Sequence, residues 1–155
     1  LRIGYVVAAP GLIAELRALR RLMLRHPSAF IQRAFALFLS LGHYDAQLRR
    51  LAHAQSERCA IVLDAIARYA PQCGVVPVDG GGSCWVQLPP GVDANELARR
   101  AAERGVLIEP GDVFFVAQPP PHSCFRLGYQ SIPARSIEAG IRELAGVVAQ
   151  LQKSR

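Results

Sequence analysis

The sequence predicts an α/β chain in two parts, residues 1–44 and 45–155, and three observations point to it. Apolar residues recur at helical spacing from Leu12 to about Tyr69. From Pro71 to Tyr129 the texture changes to short β-branched and aromatic runs punctuated by Pro and Gly. Helical spacing then returns from Ile137 to Leu151, so the order is strand, two helices, long helix, a β-rich layer with one helix inside it, and a closing helix.

Ile3 to Ala8 is short, apolar and β-branched, and Pro10-Gly11 follows it, which predicts a buried strand and a turn. Leu12, Leu16, Leu19 and Met23 mark the buried stripe of a first helix ending near His26-Pro27. Ser28 suits the N-cap of a second helix, Ala29 to Leu41, whose Phe30, Ile31, Phe35, Leu37 and Phe38 leave little polar surface. Gly42 closes it and Asp45 can cap the long third helix, with Leu48, Leu51, Ala52, Cys59, Val62, Leu63 and Ile66 on one face.

The β-rich part starts with Gly74 to Val78, a Gly80-Gly81-Gly82 turn and Cys84 to Leu88, which pair naturally as a hairpin. Asp93 and Glu96 form an Asp-x-x-Glu capping signal for a helix through Arg104, with Gly105 as its C′ residue. Val106-Leu107-Ile108 reads as a short strand, Pro110-Gly111-Asp112 as a turn and Val113 to Ala117 as another extended piece. After the loop 118–123, Cys124 to Tyr129 is the last strand, and Ser131 caps the final helix with Pro133 in its first turn, the stripe being Ile137, Ile141, Leu144, Val148 and Leu151.

With 155 residues, 51% of them hydrophobic and 19% charged, the chain can bury a core. No apolar run approaches the roughly 18 residues of a membrane span, and the start lacks a signal-peptide pattern, so a cytoplasmic protein with no membrane partner is expected. The four cysteines show neither C-x-x-C pairing nor zinc-type spacing to histidine, so no metal site is expected and they read as small buried hydrophobes. The formal charge is +6, but the basic residues fall in ones and twos, such as Arg20-Arg21, Arg49-Arg50 and Arg99-Arg100, on helical segments, which fits solvated faces better than a nucleic-acid surface. Of the 18 basic residues 17 are arginine, so Lys153 is the single lysine available to any amine chemistry. The residues before 45 carry more apolar surface than two helices and a strand can bury among themselves, which predicts a piece of a larger domain.

Leu1-Arg2-Ile3-Gly4-Tyr5 and Phe125-Arg126-Leu127-Gly128-Tyr129 resemble two motifs of class I aminotransferases, enzymes of pyridoxal-phosphate (PLP) fold type I. The resemblance implies the small C-terminal domain of that fold in residues 45–155, an α+β unit, and the end of the large domain in residues 1–44. It implies that Arg2 holds the cofactor phosphate and that Arg126 holds the substrate α-carboxylate. A guanidinium fork meets a carboxylate through two parallel charge-assisted hydrogen bonds, which suits that task. Alternation puts Phe125, Leu127 and Tyr129 on one face of the strand and Arg126 and Gly128 on the other, where Gly128 would leave room beside the guanidinium. In the family the Schiff-base lysine and the groups that stack on the cofactor ring and pair with its nitrogen precede the residue that Arg2 matches. The resemblance therefore implies no catalytic residue in this chain, no PLP bound by it alone and no transamination.

Gln32-Arg33-Ala34, Phe38-Leu39-Ser40-Leu41-Gly42-His43-Tyr44 and the stretch Arg104 to Phe115 further resemble the aminotransferase-like domains of MocR-type regulators in the GntR superfamily. That implies a homodimer whose PLP-binding effector domain senses an amino acid or another amine or carboxylate ligand. DNA would be bound only through a winged helix-turn-helix domain absent from this chain. The alternatives are the same part of a catalytic 2-aminoadipate-type transaminase and a plain α/β interaction domain. His43 at a helix end reads as a capping or packing residue, and Gly80-Gly81-Gly82 matches no G-x-G-x-x-G template and reads as a turn.

Overall fold

The computed structural model describes residues 3–76, 80–116 and 119–153. The chain divides into two compact units, Leu1–Arg50 and Leu51–Arg155.

In the first unit, residues 3–9 have no regular structure and are largely exposed, so the expected strand at Ile3 to Ala8 does not form. A β-prone run becomes a strand only where a ladder accepts its backbone groups, and no described residue pairs with this one. Pro10 is likewise no turn residue: it opens α1 (Pro10–Met23), where a fixed φ and a missing N–H cost nothing. Ser28 caps α2 (Ala29–Ser40) as expected, accepting from the Ile31 N–H at 3.5 Å. Neither helix buries a single residue. Helix α3 (His43–Tyr69) starts two positions before Asp45, which therefore sits in its first turn instead of capping it.

The second unit is a four-stranded antiparallel sheet of order β1-β2-β4-β3 with helices on one face. Strand β1 (Gly74–Val75) and β2 (Ser83–Gln87) make the expected hairpin pairing, with Val75 opposite Val86; Val78, in the expected first strand, lies outside the described residues. The β4 strand (Cys124–Gly128) pairs along all of β2, placing Trp85 opposite Arg126 and Val86 opposite Phe125.

Helix α4 (Ala94–Glu103) is capped by Asp93, which accepts from the backbone N–H groups of Asn95 at 2.8 Å and Glu96 at 3.0 Å. Only this half of the capping box forms, because the Glu96 carboxylate turns outward to Arg99 and Arg100 at 2.8 and 2.6 Å. Those hydrogen bonds, Arg99 first, hold its pKa down to about 2.

The end of α4 explains why Val106-Leu107-Ile108 is not a strand. Gly105 takes φ +77°, and the N–H groups of Gly105 and Val106 return to the carbonyls of Ala102 and Ala101, a Schellman motif that commits Val106 to the helix. The ladder begins later, at β3 (Glu109–Pro110), with Glu109 opposite Arg126. Nor is Val113 to Ala117 extended throughout. Asp112 accepts from the Val113 N–H with its side chain and from the Phe115 N–H with its carbonyl, winding Gly111–Phe114 into a 3-10 turn; Ala117 and Gln118 lie outside the described residues.

Helix α5 (Ala134–Lys153) starts after Pro133, whose carbonyl accepts from the Ser136 N–H, so Pro133 precedes the first turn and Ser131, in the turn before it, is not the cap. The helix buries Ile137, Ile141, Leu144 and Val148 of the expected stripe, with Leu151 half-buried at its edge. These residues pack with Val62 and Ile66 of α3, Leu97 and Ala101 of α4, and Val86, Phe125, Leu127 and Tyr129 from the inner side of the sheet. Burying one such side chain contributes roughly 1.5–3 kcal/mol, so this one core carries the stability of the unit.

Candidate functional site

The inner sheet face is consumed by the core, which leaves chemistry to the outer one. Along β4 the burial alternates, with Phe125 and Leu127 buried and Arg126 and Gly128 exposed, as strand geometry dictates. Pairing then sets Trp85, Arg126 and Glu109 side by side across three strands. The Glu109 carboxylate takes one edge of the Arg126 guanidinium: its Oε2 lies 2.7 Å from Nε and 2.5 Å from Nη2. The Arg126 guanidinium carbon Cζ lies over the face of the Phe114 ring, 5.3 Å from its centroid. Trp85 meets Phe114 edge-on at 5.7 Å and Phe115 at 6.1 Å, completing an aromatic border.

The segment bearing those two phenylalanines is anchored from behind. Asn95 Nδ2 donates to Asp112 Oδ2 at 3.0 Å and lies 3.2 Å from His122 Nδ1, tying the 3-10 turn to the start of α4. Gly111 is required by close approach, since a Cβ there would come within 2.7 Å of the Cys124 carbonyl oxygen and 3.0 Å of Trp85. A Cβ at Gly128 would meet nothing within 4 Å, so the room expected beside Arg126 is present.

Arg126 keeps 48% of its side chain exposed and Glu109 46%. The pair is therefore a weak contributor to stability and well placed to meet a solute. What the arrangement can do is bind an anion: a guanidinium has five N–H groups, and no described residue besides Glu109 accepts from Arg126.

Arg2, expected to hold a phosphate, lies outside the described residues. His43 packs its ring 5.9 Å from that of Phe38, in line with a packing role. The turn at Gly80–Gly82 presents acceptors, not donors: the Gly81 carbonyl takes the Tyr129 hydroxyl at 3.3 Å and the Gly82 carbonyl takes the N–H groups of Tyr129 and Gln130. A phosphate cradle needs the opposite polarity. Beside this turn a recess of about 310 Å³ is lined by Gln55, Ser56, Cys59 and Tyr129. Burial pushes the neighbouring Cys84 thiol up to about 11 and raises Tyr129 as well, which makes both poor nucleophiles near neutral pH.

Cys84 and Cys124 are the buried hydrophobes the sequence suggests, while Cys59 and Cys73 are only half covered. No group of metal-ligating side chains occurs among the described residues, and no described helix is long and apolar enough to cross a membrane. Sequence reasoning missed Glu109 and Phe114 as neighbours of Arg126, because their proximity depends on the β3 register. The one available signal was a charged residue directly before Pro110-Gly111, where a strand must end.

A PLP site can be tested against these residues. Covalent attachment of the cofactor would need a lysine amine, and Lys153, exposed at the end of α5, is the sequence's one lysine. The described residues thus offer a half-exposed arginine with an aromatic border, and a lysine at the exposed end of α5.

No protein-family profile matches the chain. Among curated proteins, the HTH-type transcriptional regulator TauR of Rhodobacter capsulatus is 44% identical over 145 residues, 94% of this chain and 30% of the relative. The probable rhizopine catabolism regulatory protein MocR of Rhizobium meliloti is 27% identical, over 99% of this chain and 31% of the relative. Among solved structures, LysN, the α-aminoadipate aminotransferase of Thermus thermophilus complexed with N-(5′-phosphopyridoxyl)-L-leucine, superposes with a TM-score of 0.86 at 27% identity, over 96% of this chain and 38% of that one. The chain spans about a third of the length of the proteins it matches.

Proposed function

Since this chain is related to MocR/GntR-type transcriptional regulators and carries part of the fold-type-I aminotransferase fold, we propose that it is a segment of the PLP-binding, amino-acid-sensing effector domain of such a regulator. In this reading residues 45–155 form the C-terminal small domain and residues 1–44 the end of the large one. Arg126 binds the ligand carboxylate, Arg2 contributes to the cofactor phosphate site, and the lysine that anchors PLP comes from outside this chain. DNA is bound through a separate N-terminal domain, and the working protein is a cytoplasmic homodimer.

The observation that carries the reading is the Arg126 guanidinium: half-exposed, held by Glu109 on one edge, set over the Phe114 ring, and with no other acceptor among the described residues. PLP, when bound, supplies an electrophilic aldehyde for an amine ligand; this chain's part is to seat the carboxylate of that ligand. Catalysis in the intact protein is the second reading, supported by the likeness to the aminoadipate aminotransferase.

The test is Arg126→Ala in the full-length protein. Hydrogen bonds to a charged group contribute about 1.5–3 kcal/mol, so affinity for the amino-acid ligand should fall by roughly ten- to a hundredfold while PLP absorbance persists. Unchanged ligand affinity would remove Arg126 from the site. Amino-group transfer to an oxoacid at enzymatic rates by the intact wild-type protein would favour the second reading.

A further inference from the structure

We propose that Glu109 sets both the pose of Arg126 and the charge of the ligand it accepts, selecting amino acids with a single carboxylate over those with two. The inference rests on Arg126 being the carboxylate reader, and its starting point is the way the guanidinium is shared. Glu109 Oε2 sits within hydrogen-bond distance of Nε and Nη2, the side edge of the fork. Cζ rests over the Phe114 ring, which offers no acceptor to the N–H groups. That leaves the end edge, made of one N–H of Nη1 and the second N–H of Nη2, which can meet a carboxylate through two parallel bonds. Glu109 therefore fixes the fork without filling it.

The same carboxylate stands beside the ligand. Arg126 and Glu109 are cross-strand neighbours with no other charged partner among the described residues, so the pair is close to neutral overall. A ligand bringing one carboxylate and one ammonium adds no net charge. A second carboxylate brings a negative charge against Glu109, and the Trp85, Phe114 and Phe115 rings around the pair provide no donor to offset it except the Trp85 indole N–H. Repulsion between like charges a few ångströms apart at a half-exposed site is worth of order tenfold in affinity.

Two substitutions separate pose from charge. Glu109→Gln keeps an acceptor for Nε and Nη2 but removes the charge; Glu109→Ala removes both. In the full-length, PLP-loaded protein, binding of a panel of amino acids, with L-alanine and L-glutamate as the reference pair, is measured by calorimetry, with thermal unfolding as the check on folding. Glu109→Gln should leave L-alanine within about threefold of wild type and raise L-glutamate by about tenfold. Glu109→Ala should weaken L-alanine by about tenfold, since the fork is no longer held. A glutamate-to-alanine affinity ratio unchanged in Glu109→Gln, or equal losses for every ligand in both variants, would overturn the proposal. Arg126→Ala in parallel isolates the underlying reading: if it alters no amino acid's affinity, or if wild type binds none of the panel, that reading falls first and this one with it. If Arg126→Ala weakens binding as expected and Glu109→Gln changes nothing, only the role of Glu109 is lost.

Discussion

Helices α1 and α5 both carry a regular apolar stripe, yet they end in opposite environments. Leu12, Leu16, Leu19 and Met23 of α1 all stay at least a third exposed, whereas Ile137, Ile141, Leu144 and Val148 of α5 are buried against the sheet and its companion helices. Charge divides the same way. Residues 1–50 hold eight arginines against Glu15 and Asp45, while residues 51–155 hold ten basic and ten acidic residues, so the first region carries the whole +6. Among the described residues no ion pair joins Arg17, Arg20, Arg21 or Arg25, whereas Arg68, Arg99, Arg100, Arg104 and Arg126 each have a carboxylate partner. Periodicity thus states which face of a helix prefers cover; only a neighbouring element supplies it.

The sharpest way to break this contrast is to truncate one aromatic in each region. Phe125→Ala, at 1% exposure, should cost about 3–5 kcal/mol, while Phe30→Ala, at 79% exposure, should cost under about 0.5 kcal/mol. Urea denaturation compares the two directly, and similar losses would show that residues 29–40 are packed after all. A smaller effect probes how tightly the second region closes around the outer face of its sheet. Gly111→Ala drives a methyl onto the Cys124 carbonyl and should cost about 1–3 kcal/mol by overpacking, with a change in Trp85 fluorescence as the 3-10 turn shifts. A neutral result would mean that the turn moves freely.

Smallest is the comparison of two helix caps. Asp93→Ala, which forfeits bonds of 2.8 and 3.0 Å, should cost about 1 kcal/mol; Ser28→Ala, which forfeits one at 3.5 Å, should cost about 0.5 kcal/mol or less. Thermal unfolding checks both, and the reverse order would contradict the geometry.

Much of the fold was legible because its signals are local. Ser28, Asp93 and Gly105 each mark a helix end within one turn of their own position, and the stripe of α5 and the alternation of β4 are carried by neighbouring residues. The failures share a cause. Ile3 to Ala8 has strand chemistry but no described ladder partner, and Val106 has strand chemistry but donates its N–H to Ala101. Propensity was right about the residues and silent about the competition for their backbone groups.

The candidate site divides along the same line. That Arg126 must stand on the polar side of its strand follows from the residues on either side of it, Phe125 and Leu127, because successive side chains on a strand point to opposite faces. That Glu109 holds one edge of its guanidinium, which lies over the Phe114 ring, was decided by tertiary structure alone. Those contacts depend on where the Schellman motif releases the chain into β3, and a one-residue slip would turn Glu109 to the buried face and leave Arg126 without its carboxylate.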